Sequence, residues 1–183
     1  MGRSAVDSNQ IFIEGLVVPE SHRVGEEGKG FSYLLDSLNP ERILIAAEAL
    51  GIGRSALQRA VDYAGSRVVF GRPIGQNQSI QHPLAENWIE LEAAELLIAK
   101  AAYLYDSGAP AGGLANAAKY FAAEAGFKAA TQAVMTHGGM GYAKEYHVER
   151  LLREALIPRL APVSAQMVLN YIAERELGLP KSY

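Results

Sequence analysis

The sequence predicts an all-α protein: a bundle of about five helices led by a short β stub. Three observations carry this. From Phe31 onward apolar residues recur at three- and four-residue steps. The breaks between these runs are rich in Gly and Pro. Only residues 9–18 have the β-branched, apolar character of a strand.

The elements follow in order. "NQIFIEGLVV" (9–18) ends at Pro19 and reads as one strand, or as two broken at Gly15. A lone strand pair is marginal in water and needs a sheet to join, so residues 1–18 read as the tail of an upstream β-domain. "GEEGKG" at 25–30 is a flexible connector. Ile43, Ala46, Leu50, Gly53, Leu57, Ala60 and Ala64 then form one apolar stripe from about 40 to 66. Its start, "LNPER", obeys the local rules for a helix N-terminus: Asn39 suits the cap, Pro40 the first position, and Glu41 the first turn, where the helix dipole favours an acid. Gly71, Pro73 and Gly75 interrupt the pattern. A second stripe runs through Ile80, Leu84, Trp88, Leu91, Glu95, Ile98, Ala102 and Tyr105, with Glu95 as its polar member. "DSGAPAGG" (106–113) is a turn, and an alanine-rich helix over about 114–136 places Leu114, Ala118, Phe121, Ala125 and Ala129 inward. "HGGMGY" ends it. A shorter helix near 147–157 follows, Pro158 and Pro162 break the chain, and a last helix covers about 165–177. The division is therefore 1–30 as tail and linker and 31–183 as the bundle. Its alanine-rich faces suit either a tightly packed monomer core or a further buried interface between copies.

Composition excludes several classes. A net charge of −3 gives no general reason for a nucleic-acid partner. Without cysteine there are no disulfides and no thiolate metal sites. No apolar run reaches the roughly 18 residues of a membrane span, which permits a reducing, soluble compartment. His22, His82, His137 and His147 have no metal-ligand spacing, and no Glu-x-x-His pair exists.

Two stretches carry more than a bundle needs. "SRVVFGRPIGQNQSIQ" (66–81) puts Arg67, Phe70, Arg72, Gln76, Asn77 and Gln78 around a loop. A loop requires Gly and Pro. It does not require a guanidinium, which matches phosphate oxygens, or a ring that can stack on a base. "THGGMGYAKEYHVERLLREA" (136–155) has Gly138, Gly139 and Gly141, where backbone can approach a ligand. Its charged run, Glu145, Glu149, Arg150, Arg153 and Glu154, reads as salt-bridge scaffolding.

In this order and spacing, "FGRPIGQNQSIQ" and "HGGMGYAKEYHVERLLREA" resemble the two signature segments of the acyl-CoA dehydrogenase family, and "NQIFIEGLVVPESHRVGEEGKGF" resembles the exit from its middle β-domain. The resemblance runs over nearly the whole chain. It implies an up-and-down four-helix bundle, the C-terminal domain of a flavoenzyme that binds FAD and oxidises an acyl-CoA to the trans-2-enoyl-CoA. It also implies assembly as a homodimer or homotetramer, reoxidation by an electron-transfer flavoprotein or similar acceptor, and a cytoplasmic location, or the mitochondrial matrix in a eukaryote.

Carried over by position, Arg67 resembles the arginine that reaches the FAD pyrophosphate of a neighbouring subunit, and Phe70 and Gln78 fall where the family contacts that cofactor. Gly138 and Gly139 match the glycine pair beside it, flanked by Met135 and His137. Ser164 and Gln166 fall where the family has a threonine and a polar residue near the dinucleotide. One departure matters. Many members carry the catalytic glutamate just before the last helix, where this chain has "APVS" with Pro162 in its place. A minority carry the base on the earlier helix in a motif ending Glu-Arg, which "LNPER" matches with Glu41 and Arg42. The resemblance thus implies Glu41 as the base that removes the α-proton. A helix N-terminus would stabilise its carboxylate and weaken it as a base. Two other readings stay open: a non-catalytic helical assembly module, and an oxidase on the same fold that reacts directly with oxygen.

Overall fold

The structure, a computed structural model, describes residues 1–182. Its elements are α1 (Gly30–Ser66), β1 (Val68–Val69), β2 (Arg72–Pro73), α2 (Gln78–Asp106), α3 (Gly112–His137), α4 (Val148–Glu154), α5 (Ile157–Leu160) and α6 (Ala165–Arg175). α1 and α3 run parallel, since Ala49 and Gly53 meet Gly126 while Tyr63 meets His137. α2 returns antiparallel beside them, bringing Leu91 to Gly53 and Glu92 and Glu95 to Arg54. α6 runs back along the first half of α3, from Lys119 near its start to Gly113 near its end. The bundle is therefore up-down-up-down, with α4 and α5 as the link.

Alanine sets the spacing of the core. Ala46, Ala56 and Ala60 of α1, Ala94 and Ala101 of α2, and Ala115, Ala118, Ala122, Ala130 and Ala133 of α3 are fully buried. Such short side chains let the helix backbones approach closely. The approach is tightest at Gly126, where a Cβ would stand 2.5 Å from the Ala49 carbonyl oxygen, and at Gly53, where it would meet Gly126 Cα at 2.9 Å. Larger groups, including Leu50, Leu57, Leu84, Leu91 and Ile98, fill the seams.

Several expectations need correction. α1 begins ten residues before Pro40, so Asn39 is not its cap and Glu41 lies well inside the helix. The earlier turns carry Phe31, Leu34, Leu35 and Leu38 at helical spacing, and this pattern extends the helix through the proline. The field of a helix N-terminus fades within the first turn and does not act on Glu41. Residues 9–18 find no pairing partner and form no strand, while a two-stranded hairpin occurs instead within the loop at 68–73. On α2 the buried face is Leu84, Asn87, Leu91, Ala94, Ile98 and Ala101, whereas Trp88, Glu95 and Tyr105 face outward. Both patterns alternate steps of three and four and share Leu84, Leu91 and Ile98, but the members between them that turn inward are Asn87, Ala94 and Ala101, each one residue before Trp88, Glu95 and Ala102.

A candidate site divided between the two ends of the bundle

The residues singled out from the sequence gather at opposite ends. Arg67, Phe70 and Gln78 cluster with Met135, His137, Gly138 and Gly139 where α1 and α3 finish and α2 starts. Glu41, Ser164 and Gln166 lie at the other end, where α6 begins. Glu41 and Arg67, the residue that follows α1, are 26 residue steps apart, about 39 Å at 1.5 Å per residue. No single small molecule lying in one chain bridges that span with its reacting atoms.

At the first end the hairpin holds its shape through backbone geometry. Val68 pairs with Pro73 and Val69 with Arg72. Phe70 and Gly71 form the turn, both with positive φ (53° and 79°), as a two-residue hairpin turn requires. For a ring-bearing residue this is an unfavourable conformation, and it leaves the Phe70 side chain wholly in solvent. The Ile74 N–H donates to the Arg67 carbonyl at 2.9 Å, and Arg72 Nη2 donates to Asn77 Oδ1 at 2.7 Å. Arg67 and Gln78 are exposed.

Opposite the hairpin, α3 ends in a buried aromatic cluster. The His137 ring stacks on Tyr63 with centroids 4.2 Å apart, and Tyr146 meets both rings edge-on. His137 Nδ1 donates to the Ala133 carbonyl at 2.7 Å. His137 is thus a buried anchor, and the adjoining backbone is the open surface. Gly138, at φ 59°, and Gly139 have nothing within 4 Å of where a Cβ would stand. Met135 is exposed beside them.

At the second end a cleft of about 430 Å³ opens between α1, α3 and α6. Leu35, Leu38, Asn39 and Arg42 form its α1 wall, Met167 and Tyr171 its α6 wall, and Asn116 and Val163 reach it from α3 and the turn before α6. Arg42 Nη1 donates to Asn39 Oδ1 at 3.0 Å, while its Nε is buried without a partner. Burial holds the Arg42 guanidinium below its ordinary pKa. Glu41 is exposed next to it and makes no hydrogen bond or ion pair with the described residues. Ser164 caps α6, its Oγ accepting from the Met167 N–H at 3.4 Å, and Gln166 is exposed on the first turn.

Behind the cleft lies Lys119, the largest fully buried side chain of the protein's described residues. Its Nζ donates to the Val163 carbonyl at 2.6 Å, and burial, followed by the nearby Arg42 charge, pushes its pKa down. Sequence reasoning passed over Lys119, Asn116 and Tyr171. A signal for the first existed: Lys119 stands at the fourth residue from both Ala115 and Ala123 on a helix whose inward face is alanine. The expected scaffolding run is realised in part, through the Arg153–Glu149 ion pair and the contact of Glu154 with Arg3. No group of three or more metal-ligating side chains converges among the described residues, nor is any helix long and apolar enough to cross a membrane.

Comparison with known proteins agrees with this architecture. Residues 28–177 match the family profile described as acyl-CoA dehydrogenase, C-terminal domain. The chain is 48% identical over 176 residues to the acyl-CoA dehydrogenase FadE12 of Mycobacterium tuberculosis, covering 95% of this chain and 45% of that protein. Butyryl-CoA dehydrogenase from Megasphaera elsdenii superposes with a TM-score of 0.85 at 39% identity, covering 87% of this chain and 42% of that one. A chain in a structure described as the electron transferring flavoprotein of Acidaminococcus fermentans also gives 0.85, at 36% identity and with the same coverage. This chain therefore spans less than half the length of the relatives it matches. By profile, sequence and bundle alike, it belongs to the acyl-CoA dehydrogenase family and corresponds to the family's C-terminal helical domain.

Proposed function

We propose that this chain is the helical part of an FAD-dependent enzyme that dehydrogenates an acyl-CoA thioester between its α and β carbons, with Glu41 as the base for the α-proton. The observation that carries the reading is the position of Glu41: an exposed carboxylate on α1, one residue from Arg42, which lines the cleft, with Pro162 leaving no acid on the opposite turn. A carboxylate oxygen of Glu41 would accept the proton. Exclusion of water by the bound acyl chain would make that carboxylate a stronger base.

The other end of the bundle fits a dinucleotide. Arg67 offers a forked donor for phosphate, Phe70 a ring face, Gln78 an amide, and Gly138 and Gly139 an uncovered backbone. When bound, FAD supplies the two-electron acceptor. The separation of the two ends supports the view that Arg67, Phe70, Gln78, Gly138 and Gly139 serve a second copy's cofactor, and Glu41, Ser164 and Gln166 their own. A homodimer or homotetramer is the corresponding assembly. The likeness to a chain from a structure described as an electron transferring flavoprotein supports a carrier of that kind as the acceptor. The deciding experiment is Glu41→Gln in the FAD-loaded holoenzyme. Turnover falls by about 10³-fold while flavin absorption is retained; unaffected turnover removes Glu41 as the base.

A further inference from the structure

Lys119 presents a physical problem that the proposed reaction does not use. An ammonium with 1% exposure has only a neutral backbone carbonyl as its hydrogen-bond partner. Burying a cation without an acid against it costs several kcal/mol, and a methionine of similar reach fills the same space without that cost. The Val163 carbonyl by itself does not require a charge, since this turn lies at the surface of the cleft where water is available.

The contacts of Lys119 link two features of the cleft. Through Val163 it holds the turn Ala161–Ser164, whose Ser164 caps α6 and so orients the wall bearing Met167 and Tyr171. On the α1 side of the cleft, burial and then the like charge of Arg42 lower the Lys119 pKa. We propose that Lys119 is a positioning residue for the reaction at Glu41, acting through the 161–164 turn. This rests on Glu41 being the base. The Nζ–Val163 bond fixes the turn that starts α6, and with it the Met167 and Tyr171 wall facing Asn39 and Arg42 across the cleft.

Other charges face the same region. Asp36 on α1 and Glu174 and Arg175 on α6 line the cleft, as does Lys181. Glu124 of α3 is within electrostatic reach of Lys119 and is itself paired with Arg159 of α5 at 2.8 Å. These groups stay in place when Lys119 is neutralised.

The test compares Lys119→Met and Lys119→Gln with Glu41→Gln in the holoenzyme, reading kcat and KM together with thermal unfolding. Loss of the Nζ–Val163 bond frees the turn that sets the α6 wall. The expected result is a fall in kcat of about tenfold, KM within about threefold, and thermal stability equal to or above that of the parent. An unchanged kcat, with Glu41→Gln inactive, overturns the role of Lys119 alone. Turnover surviving in Glu41→Gln overturns the base and this inference with it. Failure of both Lys119 variants to unfold cooperatively makes Lys119 a folding residue and also overturns it.

Discussion

The contact of α1 with α3 at Gly126 gives a sharp quantitative test of the packing. In Gly126→Ala the new methyl stands 2.5 Å from the Ala49 carbonyl oxygen and 3.2 Å from its carbon. Both are backbone atoms of a helix, so no side chain can rotate away. Restoring ordinary contact at 3.4 Å needs about 0.9 Å of separation between the helices, enough to forfeit a quarter to a half of the dispersion well along the seam. Alanine recovers up to about 1 kcal/mol of helix propensity, against about 3 or more from overpacking and lost contacts. The net loss is about 2–3 kcal/mol, or about 5–10 °C in Tm for a chain of this length. Gly51→Ala is the control: Gly51 is exposed on α1 with nothing within 4 Å of a new Cβ. The same propensity argument gives it a gain of about 0.5–1 kcal/mol and a Tm raised by about 1–4 °C. Melting curves by circular dichroism read both. A Gly126→Ala chain at least as stable as the parent refutes the close helix approach.

Three further outcomes are expected. Asn87 is fully buried on α2 with neither amide atom hydrogen-bonded, so Asn87→Leu should raise stability by about 1–2 kcal/mol in denaturant unfolding; a loss of that size would mean the amide has a partner. Burial holds the folded Lys119 pKa below the ordinary lysine value of 10.5, so the unfolded chain binds more protons between the two values and stability rises with pH through that window. Unfolding at pH 8, 9 and 10 should show this rise in the parent but not in Lys119→Met. Arg54 bridges Glu92 and Glu95 at 2.8 and 2.7 Å on an open surface, so Arg54→Met should cost under about 1 kcal/mol, less in high salt.

The helices were legible because their signal is periodic and repeated. The stripe from Ile43 to Ala64 is the buried face of α1, and the turn at 106–113 and the glycines after His137 fall where the chain reverses. What failed depended on more than local pattern. Asn39-Pro40-Glu41 satisfies every rule of a helix start, but those rules act with about 1 kcal/mol each and were outweighed by the apolar repeat preceding them. Asn87 and Lys119 were missed because polarity is ordinarily a sign of exposure, and only a neighbouring helix turns it inward. At the site, Glu41, Arg67 and Gly138 came from resemblance, while their division between two ends required the length and direction of α1 and α3. The sequence sets His137 beside Gly138 and Gly139, and only the fold shows that its ring is buried and stacked on Tyr63.

That division yields a prediction that turns on geometry alone. If each active site takes Glu41 from one chain and Arg67 from another, then Glu41→Gln and Arg67→Ala damage different halves. Take a pool of dimers formed from equal amounts of the two variants. About half are mixed, and in each mixed dimer one site receives both wild-type residues while the other receives both substitutions. Activity measured at limiting FAD should therefore recover to about a quarter of wild type, although each variant alone is nearly inactive under those conditions. If instead both residues served one site within one chain, no mixed dimer would contain an intact site. Activity would then not rise above the average of the two variants. The roughly 39 Å of helix between Glu41 and Arg67 makes recovery in the mixed pool the expected outcome.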